Sequence, residues 1–398
     1  MTTEQEFRLR DIALPAYGPS VVISIGHGAV MPVLALRARD LGADVSTAAL
    51  VVGLLGVGML LASLPAGALI ARVGEKRALL LAGLLDAAAM AAAALTDSVL
   101  GLGLAVVVSG MAWTTFLISR QGFMIEAVPA AYRARALSAL GGTYRIGVFV
   151  GPLLGAVLIG WTGLTAVFWL ALAMSLVAAA MATLMPDLGS EGRAEQQAAG
   201  HLTVWSVLVA HRRTLLTLGS AVVVLGASRS VRIGLLPLWA ESVGISASTT
   251  SLIFALAAFV DIVFFYPGGW VMDHYGRAVV AVPVVLSVGI AALLLPLTST
   301  AAGVAGVMML IAVGNGLGSG IVMTLGADTA PVRGRSQYLG GWRLCGDIGN
   351  SGGPLLVGAV AAVAPLATAC VVVGVLGLLG SAWVGHWTAA LDRGRRTA

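Results

Sequence analysis

Stretches of about 20 mostly apolar residues follow one another along nearly the whole chain, and they limit its possible folds more than any other feature. A helix of about 20 residues crosses the hydrocarbon core of a bilayer, which is about 30 Å thick. The bilayer interior offers no water to backbone groups, so such stretches form helices. Charged residues make up only 10% of the sequence, against about 25% in soluble proteins. The composition therefore predicts a membrane protein.

The predicted fold class is an all-α polytopic membrane protein with twelve transmembrane helices. Its spans are 15–38, 47–70, 77–95, 98–125, 136–160, 164–185, 214–239, 247–272, 278–297, 301–325, 336–361 and 366–389. The N-terminal stretch MTTEQEFRLRD lacks the basic-then-apolar pattern of a cleavable signal peptide. Cys345 and Cys370 both lie in spans, where we expect them to be small packing residues.

Basic residues are concentrated on one side of the predicted membrane. This side, the arginine-rich end, carries Arg8, Arg10, Arg72, Lys76, Arg77, Arg133, Arg135, Arg193, Arg212, Arg213, Arg277, Arg333, Arg335, Arg393, Arg395 and Arg396. The other side, the arginine-poor end, carries Arg37 and Arg39. The positive-inside rule assigns the arginine-rich end and both termini to the cytoplasm, in a protein of the cell membrane. The net charge of +5 reflects this distribution and does not indicate nucleic-acid binding.

The sequence repeats itself at an offset of 202 residues. Prolines in similar surroundings have this spacing: Pro65 and Pro267, Pro129 and Pro331, Pro152 and Pro354. Two six-helix halves, 1–190 and 214–398, are therefore predicted, joined by a polar cytoplasmic linker at 191–213. The end of the linker is suited to a short interfacial helix with Trp205 toward lipid. Parallel six-helix repeats build one group of secondary transporters, whose substrate site lies between the halves.

Two related loop motifs carry a family resemblance. The sequence ARVGEKR follows Gly67 between spans two and three, and DHYGR follows Gly269 between spans eight and nine. With the repeat, these motifs resemble the major facilitator superfamily over essentially the whole chain. That family has an aspartate four residues after the glycine, where this chain has Asp273 in the second copy and Ala71 in the first. The resemblance implies two pseudo-symmetric six-helix bundles that work by alternating access.

In this family the loop motifs hold one gating state. We expect their basic residues to meet the carboxylate that ends the preceding bundle helix, Glu126 or Asp328. Because Ala71 lacks a carboxylate, the latch is expected to be stronger around Asp273, and simple solvation of helix ends is the alternative. The residues assigned to gating are Gly67, Arg72, Gly74, Arg77, Glu126, Gly147, Gly151, Pro152, Gly155, Asp273, Gly276, Arg277 and Asp328.

The glycine series in span five resembles the fifth-helix signature of drug/proton antiporters. Gly147, Gly151-Pro152 and Gly155 match it, whereas Ser138 stands where that family has a further glycine. Small residues four apart allow close helix packing, and proline permits a bend, here expected at the seam between the halves. Generic packing is the alternative, because the other half repeats the series at Gly349, Gly353-Pro354 and Gly358.

Ionisable residues within spans are functional candidates, since an arginine or aspartate costs roughly 2.5–3.5 kcal/mol at the bilayer centre on insertion scales. They are His27, Asp86, Arg145, Arg229, Arg232, Asp261, Arg343 and Asp347, with Arg120 near an edge where it can snorkel. The resemblance places His27, Trp113, Arg229, Arg232 and Asn315 near the substrate. It places Arg145, Asp261, Arg343 and Asp347 on the seam formed by spans two, five, eight and eleven, as proton-coupling or seam charges.

Specific partners are also expected for these residues. Arg145 is expected to pair with Asp261 across the seam, while Arg343 and Asp347 share a helix face. Asp86 is expected to pair structurally, with Arg120 as its partner. Purely structural pairing is the alternative for the seam charges. For Arg229 and Arg232, binding of a substrate anion and structural pairing are both open. For His27 a hydrogen bond between helices is favoured over a role as proton carrier.

The predicted function is secondary transport by alternating access, with proton-coupled efflux of small organic compounds or drugs as the leading hypothesis. Asp261 and Asp347 would then be the proton-linked carboxylates. The alternative is uptake or facilitated transport of a small organic anion, because arginines outnumber carboxylates in the spans. No motif of an intramembrane enzyme occurs, so neither catalytic residues nor a metal site are predicted. We expect a monomer that binds a small-molecule substrate, with the proton as coupling ion and without a cofactor.

Overall fold

The computed structural model describes residues 13–128, 133–186, 204–331 and 335–396. The first half contains α1 (Ala13–Val30), α2 (Leu34–Asp40), α3 (Val45–Val73), α4 (Glu75–Leu95), α5 (Val99–Ala127), α6 (Arg133–Thr162) and α7 (Ala166–Thr183). The second half contains α8 (Val204–Ala210), α9 (Arg212–Ser242), α10 (Ala247–Tyr275), α11 (Ala278–Leu294), α12 (Ala301–Leu317), α13 (Ile321–Thr329), α14 (Arg335–Ala361) and α15 (Leu366–Arg396).

The helices account for all twelve predicted spans. Ten spans are long and apolar enough to cross a membrane, with α12 and α13 counted as one of them. The pair α1 and α2, bent by 44°, makes an eleventh. The twelfth is α14, whose 27 residues include Arg343 and Asp347. The predicted twelve-helix fold is therefore confirmed.

The sequence repeat is also a structural repeat at the same offset of 202 residues. Gly42 and Gly244 end equivalent helices at φ of 89° and 78°, a backbone conformation that favours glycine. Asp44 then caps α3 and Ser246 caps α10, because each side chain accepts a hydrogen bond from the backbone N–H group three residues later. Equivalent positions thus have equivalent local roles in the two halves.

The seam between the halves consists of the four helices expected from the sequence. Helix α3 packs along α14, and α6 packs along α10. Glycines on α3 permit the first contact: a Cβ atom on Gly53 would lie 2.7 Å from Leu355 Cδ2, and one on Gly56 would lie 2.8 Å from Ser351 Cα. The α3 backbone therefore approaches α14 closely, because α3 has no side chain at these two positions.

The halves are joined at the arginine-poor end. Arg39 Nε lies 3.2 Å from Glu241 Oε2, and Ser46 Oγ donates to the Gly358 carbonyl at 2.8 Å. Ser248 Oγ donates to the Ala156 carbonyl, also at 2.8 Å. Hydrogen bonds and ion pairs that join described residues of the two halves extend from this end to the middle of the spans. The described conformation is thus closed at the arginine-poor end.

The glycine series of α6 faces α1 in its own half, so the expectation that it acts at the seam is wrong. A Cβ atom on Gly147 would lie 2.7 Å from the Ser24 carbonyl oxygen, and one on Gly151 would lie 2.6 Å from Ala29 N. Helix α6 continues through Pro152. The second series behaves in the same way, since Gly349 packs against Ala227 of α9.

The predicted linker is described only in part. Residues 187–203 and the side chain of Trp205 lie outside the described residues, and α8 precedes α9. Arg212 and Arg213 begin α9 with exposed side chains. Cys370 is buried in the core, and Cys345 lies half-buried with its Sγ against Gly219, as the predicted packing role requires.

Candidate functional site

A cluster of charged side chains occupies the middle of the molecule between the two halves. The first half contributes Arg120 from α5 and Arg145 from α6, and the second half contributes Arg229, Arg232, Asp261, Arg343 and Asp347 from α9, α10 and α14. Five guanidinium groups thus face two carboxylates, a formal charge of +3 when both aspartates are ionised.

Asp261 is the centre of the hydrogen-bonded part of this cluster. Arg145 Nη1 lies 3.6 Å from Asp261 Oδ1 across the seam, so the expected ion pair is present. Asn315 Nδ2 donates to Asp261 Oδ2 at 2.8 Å, and Ser319 Oγ lies 3.4 Å from Oδ1. The Arg145 guanidinium also lies 4.0 Å from the centre of the Phe265 ring, which adds a cation–π contact.

Close packing between α10 and α12 brings Asn315 to Asp261. A Cβ atom on Gly316 would lie only 2.7 Å from the Asp261 carbonyl oxygen. Because position 316 has no side chain, the two helices approach closely enough for the neighbouring amide to reach the carboxylate. The Asn315 side chain was predicted to lie near the substrate, and it lies at the edge of the charged cluster.

Arg229 is held by a break between α12 and α13. Helix α12 ends at Leu317, and the Gly318 carbonyl accepts a hydrogen bond from Arg229 Nη2 at 2.6 Å. The break also positions Ser319 at Asp261, so one irregular segment contacts both an arginine and the central carboxylate. Irregular backbone inside a membrane protein is tolerated where it is buried in protein or lines a cavity.

Three guanidinium nitrogens in the cluster are buried without a hydrogen-bond acceptor among the described residues. They are Arg120 Nη1, Arg229 Nε and Arg232 Nε. A buried donor that is left unpaired costs about 1–3 kcal/mol, and more for a charged group. These donors are therefore suited to a water molecule or an anionic ligand that enters between the halves.

Arg120 and Tyr144 belong to the site although the sequence did not assign them to it. Arg120 was expected to snorkel toward the membrane edge, but its buried Nη1 and its electrostatic repulsion with Arg343 of the other half place it inside. Tyr144 is 44% exposed and interacts electrostatically with Arg120, Arg232 and Asp261. The spacing of seven residues from Trp113 to Arg120 puts both on one helix face, a signal that was available.

Arg343 and Asp347 form a longer contact, 3.9 Å between Nε and Oδ2. They lie one turn apart on α14, as the spacing predicted. Asp347 Oδ2 is buried and has no hydrogen-bond partner among the described residues. The seam therefore carries two arginine–aspartate pairs, one between the halves and one within α14.

His27 lies inside the first half. Its Nε2 is 3.1 Å from Asp86 Oδ2, and Ser109 and Ser175 each donate to the Asp86 carboxylate at 2.6 Å. The prediction that Asp86 pairs with Arg120 is wrong, because the partners of Asp86 are these three residues, which lie on α1, α5 and α7. His27 makes the hydrogen bond between helices that was favoured from the sequence.

Trp113 separates His27 from the charged cluster. Its ring lies 4.3 Å from the His27 ring and 6.1 Å from the Tyr144 ring, centroid to centroid. Trp113 is 7% exposed and His27 is 4% exposed. The indole thus stands between the internal Asp86 network and the space between the halves.

The loop motif of the second half forms a latch around Arg277. Arg277 Nε lies 2.9 Å from Asp328 Oδ2, as expected. Asp392 accepts the backbone N–H groups of Arg277 and Ala278, both at 3.0 Å, and so caps α11. Asp273 itself is exposed and pairs with no described side chain, so the expectation that the latch is stronger around Asp273 stays a prediction.

The loop motif of the first half differs from this arrangement. Arg72 and Arg77 are exposed, and the Glu126 side chain lies outside the described residues. Lys76 Nζ donates to the Met185 carbonyl at 2.6 Å. Gly74 has φ of 85°, equivalent to 103° at Gly276. Both loops therefore use a glycine for the tight turn.

Across the described ranges, no three His, Cys, Asp or Glu side chains converge as metal ligands.

Comparison with known proteins places the fold. A POT family transporter in complex with 5-aminolevulinic acid is 12% identical, with a TM-score of 0.78 over 96% of both chains. A peptide transporter POT in complex with sulfate is 14% identical, with a TM-score of 0.77 over 96% of this chain and 94% of the other. A D-xylose-proton symporter is 13% identical, with a TM-score of 0.75 over 96% and 98%.

These structures share the fold of the chain at low sequence identity. A search of the curated proteins found no significant match. The family model described as Major Facilitator Superfamily matches residues 20–228 and again residues 218–396, one match for each half of the repeat. The chain therefore belongs to the Major Facilitator Superfamily of membrane transporters.

Proposed function

We propose that this transporter carries small organic anions by alternating access. The observation that carries the proposal is the set of three guanidinium groups, contributed by both halves to one central cluster, that each have one buried nitrogen without a hydrogen-bond acceptor. Guanidinium groups bind carboxylate and phosphate oxygens with paired hydrogen bonds. A cationic substrate would meet a cluster of formal charge +3, whereas an anion supplies the missing acceptors.

Transporters of similar fold bind anionic groups. One is in complex with sulfate, and another is in complex with 5-aminolevulinic acid, which carries a carboxylate. At 12–14% identity these similarities extend to the fold and not to individual residues. They support binding of a small-molecule ligand, while the arginines of this chain supply the argument for an anion.

Asp261 provides a route to proton coupling. Protonation of Asp261 would remove the counter-charge of Arg145 and raise the formal charge of the cluster from +3 to +4. An anion then binds more tightly, and by linkage a bound anion favours protonation of Asp261. Proton and anion would therefore bind together, as in symport. Asp347 stands in the same relation to Arg343 and is the second proton-linked carboxylate.

The glycine signature in α6 does not favour export over import. Drug efflux was expected from its likeness to an antiporter motif, but both copies of the series pack a seam helix onto α1 or α9 within one half. A glycine series that packs helices in both halves does not indicate the direction of transport. The proposal is therefore for anion transport driven by a proton gradient, without a preference for efflux.

The membrane orientation is part of the proposal. The positive-inside rule puts the arginine-rich end in the cytoplasm, so the described conformation would be closed to the outside. Reporter fusions at both termini, with enzymes that are active on one side of the membrane only, test this orientation. Activity of the externally active reporter at either terminus would contradict it.

A transport assay in proteoliposomes tests the function. The panel contains anions, cations and neutral compounds of similar size, each measured with and without a pH gradient. We expect anion flux that the gradient stimulates, strongly reduced by Arg229→Gln and unchanged by Arg213→Gln, which alters an exposed arginine at the start of the same helix. The proposal would be overturned if the wild type transports cations and the Arg229→Gln variant transports them at the wild-type rate.

A further inference from the structure

Resting on the proposed function, we propose that the transported ligand carries at least two negative charges. It bridges Arg120 of the first half with Arg229 and Arg232 of the second. Only two of the five arginines in the central site form an ion pair within the protein, which leaves positive charge for the substrate to compensate.

Two of the five arginines in the cluster are paired within the protein. Arg145 has Asp261 at 3.6 Å, and Arg343 has Asp347 at 3.9 Å. The remaining three form no ion pair with a carboxylate among the described residues, although Asp261 also attracts Arg229 electrostatically. Each has one buried nitrogen without an acceptor. A singly charged ligand would leave two of these three charges uncompensated. A doubly charged ligand leaves one.

The three unpaired arginines do not lie on one helix. Arg120 extends from α5, and Arg229 and Arg232 extend from α9 in the other half, one turn apart on one face. Tyr144 interacts electrostatically with arginines of both sides, Arg120 and Arg232. A ligand with two separate anionic groups, or one phosphoryl group with several oxygens, reaches both sides of this space.

Arg229 is prepared for ligand binding by its contact with the protein. Its Nη2 donates to the Gly318 carbonyl, which fixes the guanidinium group and leaves Nε unpaired. The Nε atom of Arg232 is also buried and unpaired. Neighbouring guanidinium groups of this kind offer several parallel donors to the oxygens of one anionic group.

The same arrangement makes closure depend on the ligand. The like charges of Arg120 and Arg343 act on each other across the halves, and both residues lie on the arginine-rich side of Trp113 and Asp347. Closure of that end would bring like charges together. A ligand with two negative charges between the halves offsets the repulsion, whereas an empty site does not.

Thermal stabilisation of the purified full chain in detergent measures binding of matched anions. The pairs are butyrate with succinate, benzoate with phthalate, and dimethyl phosphate with methyl phosphate at pH 8, each differing by one negative charge. A bound ligand raises the unfolding temperature in relation to its affinity. We expect at least one doubly charged member to bind about ten-fold or more tightly than its singly charged partner.

Substitutions then locate the second charge. Arg120→Gln is expected to reduce this ratio to about one, because the second negative charge of the ligand loses its partner. Arg213→Gln is the matched control and should keep the wild-type ratio. Arg120→Lys keeps the charge and should retain a preference, which provides a second variant if the Gln variant does not fold.

The outcomes separate this inference from the proposed function. If singly and doubly charged members bind wild type equally, or if Arg120→Gln keeps the ratio, the bridging ligand is wrong while anion transport stands. If no anion of the panel stabilises the protein, both proposals fail. A ratio that falls with Arg120→Gln and survives Arg213→Gln supports the bridge.

Discussion

Arg39 and Glu241 occupy equivalent positions in the two halves, 202 residues apart, and they form an ion pair with each other. Arg39 Nε lies 3.2 Å from Glu241 Oε2, and Arg39 Nη1 also donates to the Ala43 carbonyl. Because the two positions are equivalent, their contact lies at the pseudo-twofold axis that relates the halves. This pair therefore links the halves at the arginine-poor end, where the described conformation is closed.

Removal of this ion pair should destabilise the closed arginine-poor end. About a third of each side chain is exposed, so the pair is worth up to about 1 kcal/mol, which is roughly a five-fold change in population. Distances between spin labels at positions 95 and 297, two exposed and equivalent sites at this end, measure the change. Glu241→Gln should increase the fraction with long distances.

Two variants control this measurement. Asp40→Asn removes a charge whose ion pair, with Arg37, lies within one half, so it should leave the distances unchanged. The exchange of the two charges, Arg39→Glu with Glu241→Arg, should restore the wild-type distribution. Equal distances in wild type and Glu241→Gln would show that the pair does not contribute to closure.

Replacement of Asp261 should separate anion exchange from proton coupling. Asp261→Asn keeps the size of the side chain and imitates its protonated form, so the cluster stays in the state that favours an anion. We expect exchange of labelled and unlabelled anion across the proteoliposome membrane to persist. Stimulation of net flux by a pH gradient should be lost.

Asp273→Asn provides the matched control for Asp261→Asn. It makes the same chemical change on the same helix α10, but at an exposed residue without a described partner. It should behave as wild type in both assays. Gradient-stimulated flux in Asp261→Asn would exclude this carboxylate as a proton site and leave Asp347 as the candidate.

Sequence patterns predicted the contacts that depend on where a residue lies along one helix or on the internal repeat. Arg145 and Asp261 both lie near the middle of seam spans, and a buried charge needs a partner, so their pairing was predictable. The partners of Asp86 were not, because Ser109 and Ser175 lie on other helices whose rotation is decided by packing. The break after Leu317, which supplies the Gly318 carbonyl to Arg229, depends equally on tertiary structure.

Loss of the Asp86 carboxylate should destabilise the first half. Asp86 is fully buried and accepts from Ser109, Ser175 and His27. Asp86→Ala leaves these groups without their acceptor, and we expect a loss of about 3 kcal/mol or more. Thermal unfolding in detergent should show a lower transition temperature. Asp97→Ala, at an exposed aspartate, is the control and should leave the transition unchanged.

Acid should weaken the start of α3 more than the start of α10. The Thr47 N–H donates to Asp44 Oδ1 at 2.7 Å and holds the pKa of the Asp44 carboxyl below its usual value. The stabilisation is therefore fully present above the pKa of the unfolded carboxyl and is lost as the pH falls through the lower folded value. Ser246 caps α10 in the same way without an ionisable group.

Hydrogen exchange measures this difference. Peptides that cover residues 41–54 and 243–256 are compared at each pH in wild type and Asp44→Ser. In wild type the first peptide should lose protection at acid pH relative to the second, and Asp44→Ser should remove that difference. The same acid response in both peptides would indicate that the Asp44 charge does not contribute to the cap.

Alanine at the glycine series should reveal whether the antiporter-like motif is a packing device. A Cβ atom at Gly147 would overlap Ser24, and one at Gly349 would lie 2.8 Å from Ala227 N. Overpacking of this kind costs about 1–3 kcal/mol, so Gly147→Ala and Gly349→Ala should lower the unfolding temperature by similar amounts. Gly142 and Gly352 have no neighbouring atom within 4 Å of such a Cβ, and alanine there should be neutral or stabilising because glycine weakens helices. A Gly147→Ala variant with wild-type stability but altered proton coupling would contradict the packing interpretation, because the motif would then act in transport itself.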